Sequence, residues 1–154
     1  MIEPLKDFIR LFNANLALDE SLPEKKGERY YLVNKDLKRF INKDFLYAGT
    51  YLGEVGDGRF RPSFMFLAMI SETAQNKTYV DQKTEWLFIC GRDIFKQGIT
   101  RTTGATKRND YTLIMNRSDE CLGFGRIISD LSESAKGVVV KNVLDIGDFL
   151  RRER

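Results

Sequence analysis

The chain contains no histidine. That absence excludes Ser-His-Asp and Cys-His nucleophile activation and nearly every transition-metal site, because both chemistries depend on a neutral imidazole. Cysteine is scarce: Cys90 and Cys121 stand far apart with no CxxC pair, which argues against a disulfide scaffold and a zinc site. Each lies in a stretch that reads as a strand, so both are expected to pack as small apolar side chains in a reduced, intracellular core. No apolar run approaches the roughly 18 residues of a membrane span. The opening MIEPLKDFIR mixes charges with apolar residues from the start, so neither a signal peptide nor a membrane anchor is expected. No internal repeat or low-complexity segment occurs. The acid pairs Asp19-Glu20 and Asp119-Glu120 sit in polar turns beside no electrophile, so no catalytic residue, metal or cofactor is expected.

What remains is an ordinary globular composition, 42% hydrophobic and 31% charged over 154 residues, enough for one medium domain or two small ones. The net charge of +3 is unevenly placed. Residues 1–76 carry 11 Lys/Arg against 11 Asp/Glu, which leaves 14 against 11 of the totals of 25 and 22 for residues 77–154. Over residues 92–108, Arg92, Lys96, Arg101, Lys107 and Arg108 face the single acid Asp93. A local excess of this kind suits a polyanionic partner.

Leu5, Phe8, Ile9, Phe12 and Leu16 recur at helical spacing and predict an amphipathic helix. The polar stretch 19–27, with Pro23 and Gly27, breaks it before a strand over 28–34 and a short helix over 36–41. A strand is expected over 45–55, and Asp57-Gly58 favours the positive φ of a hairpin turn. Pro62 suits the first position of a helix over 62–74 that is apolar nearly all round, as for a helix buried between layers. Short apolar strands follow at 86–91, 111–116, 121–128 and 137–147, with brief helices near 93–96 and 145–150. This rhythm predicts a small sheet-rich pseudo-barrel after a domain boundary near Asn76. Two domains of about 75 residues bury little surface alone and should dock, with the helix at 62–74 as mediator.

The segment GRDIFKQGITRTTGATKR, 91–108, combines a strand end, a short basic helix and a Gly/Thr-rich loop. Its glycines admit a close backbone approach and its cations suit phosphate; a solvated turn, basic by chance, fits as well. Gly123 and Gly125 alternate around Phe124, which implies a close approach on one face, by RNA or by a neighbouring helix. Neither they nor Gly53, Gly56 and Gly58 have the context of a nucleotide loop. Tyr30, Tyr31, Tyr47, Tyr51, Trp86 and Tyr111 could stack bases, but their aliphatic neighbours favour the core.

The order of WLFICGRDIFKQGI, LGFGRI and GVVVKNVLDIGDFLRRE resembles successive elements of a PUA domain. YAGTYLGEVGDGRFR, a helix, and TYVDQKTEWLF resemble the N-terminal domain of the Nip-seven family of ribosome-biogenesis factors, a likeness that spans about residues 44–153. The resemblance implies an α/β domain over 1–76 and a PUA domain, a small mixed β pseudo-barrel, over 77–154. It implies a non-catalytic protein that binds U- or AU-rich RNA and assists pre-rRNA maturation of the large subunit beside other assembly proteins. The implied RNA-binding set is Gly91, Arg92, Asp93, Lys96, Gly98, Arg101, Lys107, Arg108, Arg126, Lys136, Lys141, Arg151 and Arg152. A monomer is expected, cytoplasmic, or nucleolar if eukaryotic; the short C-terminus without a basic extension fits an archaeal protein. The rivals are an adaptor that recruits proteins without touching RNA, and an RNA-modifying enzyme, for which the first half offers no catalytic motif.

Overall fold

The computed structural model describes residues 2–42, 44–133 and 136–152, with Phe149 and Arg152 described in their backbone alone. The first helix, α1 (Glu3–Arg10), turns Leu5, Phe8 and Ile9 into the core. It stops short of Leu16 because Asn13 takes φ 48°, a left-handed conformation that cannot continue a helix. The stretch 19–27, expected to be loop, contains a strand, β1 (Pro23–Lys26), paired with β2 (Arg29–Leu32). It is the outer strand of its sheet, so one flank meets water and polar residues cost little there. A one-turn helix, α2 (Lys35–Lys38), is capped by the Asn34 side chain, which accepts from Leu37 N–H.

Strand β3 begins at Thr50 (Thr50–Gly56) rather than at Phe45, because Gly49 at φ +69° turns the chain just before it. Asp57 and Gly58 both have positive φ, the turn that their sequence predicts, and return the chain into β4 (Arg59–Pro62). Pro62 therefore closes a strand instead of opening a helix. Ser63 caps α3 (Phe64–Ser71): its hydroxyl accepts from Phe66 N–H at 3.1 Å and donates to the Tyr51 carbonyl at 2.6 Å. The first sheet runs β1-β2-β3-β4.

The remaining elements are β5 (Lys77–Val80), α4 (Gln82–Ile89), β6 (Ile94–Phe95), a 3-10 turn (Lys96–Gly98), β7 (Ile99–Thr103), β8 (Tyr111–Met115), β9 (Cys121–Ile127), β10 (Val138–Asp145) and α5 (Gly147–Arg152). They build a curled mixed sheet in the order β6-β10-β9-β8-β5-β7, parallel between β5 and β8 and antiparallel elsewhere. Three expectations change here. Residues 86–89 are helical and Cys90 and Gly91 are turn, because Asp81 accepts from Thr84 N–H at 2.7 Å and caps α4; Cys90 caps that helix exposed, not in the core, while Cys121 on β9 is largely covered. The expected helix at 93–96 is strand β6 plus the 3-10 turn, because Ile94 and Phe95 pair with Val140 and Val138. The Gly/Thr-rich loop is in its first half strand β7, zipped onto β5.

Side chains alternate across this sheet, except where register shifts near Val139 and Leu122 interrupt the pattern. Ile114, Leu122, Ile127, Val139 and Val140 face an inner core with Phe88 of α4. Leu113, Met115 and Phe124 face the other way and join Leu5, Phe8, Phe12, Phe66, Leu67 and Ile70 in a second core. Helix α3 packs against both β3 and β9 through Phe66, Leu67 and Ile70, while Met65 and Ala68 leave its outer face exposed. Helix α1 and the turn after it share the task, with Phe8 and Phe12 set edge-on to Phe124 at 5.4 and 5.6 Å between ring centroids. Buried Asn76 stitches the junction: its N–H donates to Phe12 O, its amide to Leu11 O, and its carbonyl accepts from Leu113 N–H. Gly123 and Gly125 admit strand β10, neither RNA nor a helix. A Cβ on Gly123 would lie 2.0 Å from Leu144 O, and one on Gly125 would lie 2.7 Å from Lys141 O.

Candidate nucleic-acid interface

The candidate cations fall into four neighbourhoods. The first is the end of α4, where Gly91 takes φ +91° and α5 docks beside it. Arg151 donates to Ile89 O at 2.9 Å and to the buried Asp145 carboxylate at 2.8 Å. It is thereby a clasp for the last helix, with its charge already answered. Asn142 completes the junction: its N–H donates to Asp93 Oδ1 at 2.9 Å and its amide to Phe88 O and Asp145. Asp93, a lone acid in a basic run, thus holds β10 to the β6 entry, and Arg92 beside it is exposed. The Arg152 side chain lies outside the described residues.

The second neighbourhood is a corner of three loops. Lys96 donates its ammonium to Leu131 O and its N–H to Gly137 O, next to exposed Lys136. Lys107 pairs with Asp130 at 2.8 Å. That hydrogen bond, together with two from Ser132, draws the Asp130 carboxyl down to about 2 and raises the Lys107 ammonium. Arg108 is exposed, and no ion pair to it occurs among the described residues. Buried Gly98 is structural, with Thr84 Oγ1 where a Cβ would sit.

Arg101 makes the third. It lies over the Tyr79 ring at 3.9 Å to the centroid, and the Tyr79 hydroxyl donates to Asp119 at 2.7 Å. Burial, then this hydrogen bond, raises the Tyr79 phenol. Arg101 is exposed above the ring, a planar cation presented flat.

The fourth is a groove between the two sheets. Register places Tyr111, Arg126 and Lys141 side by side on β8, β9 and β10, hence on one face. Across from them stand Arg59 and Phe60 of β4, and Phe124 lines the floor; the groove measures about 850 Å³. No ion pair to Arg59, Arg126 or Lys141 occurs among the described residues. The acid on the rim, Asp7, is paired with Arg10 at 2.8 Å. Arg59 and Asn142 were not among the candidates. A strand cation outside any basic run carries no sequence signal, because only the pairing of distant strands brings it to the groove.

Of the aromatic candidates, Tyr30 and Tyr31 are core, Tyr51 and Tyr111 half-buried, and Tyr47 and Trp86 exposed. Burial and Glu54 push the Tyr51 phenol up to about 12. Among the described residues no group of three or more Cys, Asp or Glu side chains is placed to hold a metal.

A curled mixed sheet closed by a short helix, with cations along its strand ends and loops, defines a PUA-domain protein. A family model described as UPF0113 PUA domain matches residues 76–154. The chain is 34% identical over 139 residues to a UPF0113 protein of Archaeoglobus fulgidus, covering 84% of this chain and 78% of that one. It is 31% identical over 132 residues to the 60S ribosome subunit biogenesis protein NIP7 homolog of Danio rerio, covering 80% and 73%. The chain belongs to the UPF0113 family, which it shares with the Nip7 proteins. In fold it is similar to a conserved PUA domain protein from Thermoplasma acidophilum, with TM-score 0.65 at 17% identity over 98% of this chain and 93% of that one.

Proposed function

We propose that this chain is a non-catalytic RNA-binding factor of large-subunit ribosome assembly, engaging U- or AU-rich pre-rRNA through its PUA domain. The chain divides near Asn76 and works as a cytoplasmic monomer beside other assembly proteins. The family supports the ribosomal part, since several relatives are called 60S ribosome subunit biogenesis proteins. One observation carries the RNA part: Arg92, Arg108, Arg126 and Lys141 are exposed on the second sheet and its loops with no carboxylate partner among the described residues. Unpaired cations release counterions on meeting phosphate, whereas Lys107 and Arg151 must first leave a carboxylate.

Binding of oligo-U and oligo-A followed by fluorescence anisotropy over a salt series tests this. Four or five neutralised phosphates give a slope of log K against log salt near −3, at about −0.7 per contact. A slope near zero, or no binding at low salt, refutes RNA binding.

The adaptor reading draws support from another region. Phe40 and Leu46 are more than 80% exposed, and Tyr47 is 66% exposed, three large apolar side chains within eight residues of sequence that a protein partner could cover. Under that reading oligonucleotides fail to bind while assembly proteins are retained.

A further inference from the structure

We infer that the RNA strand does not stay on the PUA domain but runs through the inter-sheet groove, where Arg59 of the first sheet grips the phosphate chain together with Arg126 and Lys141. The inference rests on the RNA-binding reading and deepens it.

The groove has what a single strand needs. Its second-sheet wall is the cross-strand row Tyr111, Arg126, Lys141, and its first-sheet wall carries Arg59 and Phe60. Cations on both walls and aromatic carbon between them match the alternation of phosphate and base along a polynucleotide. Three other basic side chains near the second sheet are already engaged: Lys107 by Asp130, Arg151 by Asp145, Lys96 by Leu131 O. The three groove cations have no ion-pair partner among the described residues, and Asp7 on the rim is answered by Arg10. Beside Arg59 a neighbouring pocket carries Glu54 and Asp57, which are likewise paired, with Arg29 at 3.4 Å and Arg61 at 3.1 Å.

The groove is positioned by the shared aromatic core beneath it. Phe60 touches Phe8, and Phe8 touches Phe124, at 5.3 and 5.4 Å between centroids. The two walls are therefore held in one packing unit, so the cations start pre-organised.

The test uses the full chain, with U10 RNA and UMP as probes, and variants Arg59→Ala, Arg59→Lys, and Arg39→Ala as an exposed control on the same domain. Arg59→Ala weakens U10 binding roughly tenfold and makes the salt slope shallower by about 0.7. Arg59→Lys keeps the slope, Arg39→Ala changes nothing, and the thermal melt is unaltered throughout. UMP alone binds far more weakly than U10. If wild type binds U10 and Arg59→Ala does not alter affinity or slope, the groove path is wrong while the RNA-binding reading stands. If UMP binds as tightly as U10, the groove is a mononucleotide pocket and the strand path is also wrong. If wild type binds no RNA, the functional reading itself falls.

Discussion

Lys107 and Arg108 are chain neighbours with different roles. Lys107 spends its charge on Asp130, tying the β7–β8 loop to the β9–β10 loop, while Arg108 faces solvent. The pairing makes stability depend on pH with a definite sign. The Asp130 carboxyl is depressed from 3.8 to about 2, so its contribution is complete above about pH 5 and is lost as pH falls toward 2. Asp130→Asn keeps a side-chain acceptor for Ser132 but removes the charge. Urea midpoints of wild type and variant should differ by a constant amount at neutral pH and converge between about pH 4 and 2. A gap that persists at pH 2 would show that the pair is not the source. At this scale the notion of a basic stretch is too coarse: composition counts cations, and only contacts tell which are engaged.

At the scale of elements, α4 shows why short apolar runs mislead. Trp86 to Gly91 is apolar and brief, equally good as a strand or as one face of a helix. The decision rests five residues upstream, where Asp81 adopts extended backbone and its carboxylate takes Thr84 N–H. Backbone hydrogen bonding to Thr84 also lowers the Asp81 carboxyl. Removing the cap by Asp81→Ala should cost about 1 kcal/mol in denaturant unfolding, and Asp81→Asn should recover most of it. An unchanged midpoint for the alanine variant would assign α4's stability to Phe88 packing alone. Strands β1 and β7 escaped notice for the converse reason. Both are polar outer strands, and their sheets supply the backbone partners that their own sequences do not advertise.

At the scale of the molecule, the two sheets share one aromatic core, in which Phe124 of β9 meets Phe8 of α1, Phe12 of the turn after it and Tyr111 of β8. The two halves should unfold as one unit. Phe124→Ala removes a ring only 5% exposed, at an expected cost of about 3–5 kcal/mol. Followed by tryptophan fluorescence from Trp86, on the second half, and by far-ultraviolet circular dichroism, wild type should show coincident transitions. Separate transitions in wild type would mean that the halves are independent and that the groove between them is not a fixed site.

Local residue chemistry by itself determined the hairpin at Asp57-Gly58, the amphipathic start, an apolar helix between the two sheets and the last three strands, β8, β9 and β10. Each of these is a statement about a few consecutive residues, and turn preference or periodicity is enough to make it. The order of motifs also carried the family. Tertiary structure alone decided which cations are available, because ion pairing, cross-strand register and the facing of two sheets join residues tens of positions apart. Arg59 comes to stand opposite Arg126 and Lys141 only when Phe8, Phe60 and Phe124 close the core beneath them.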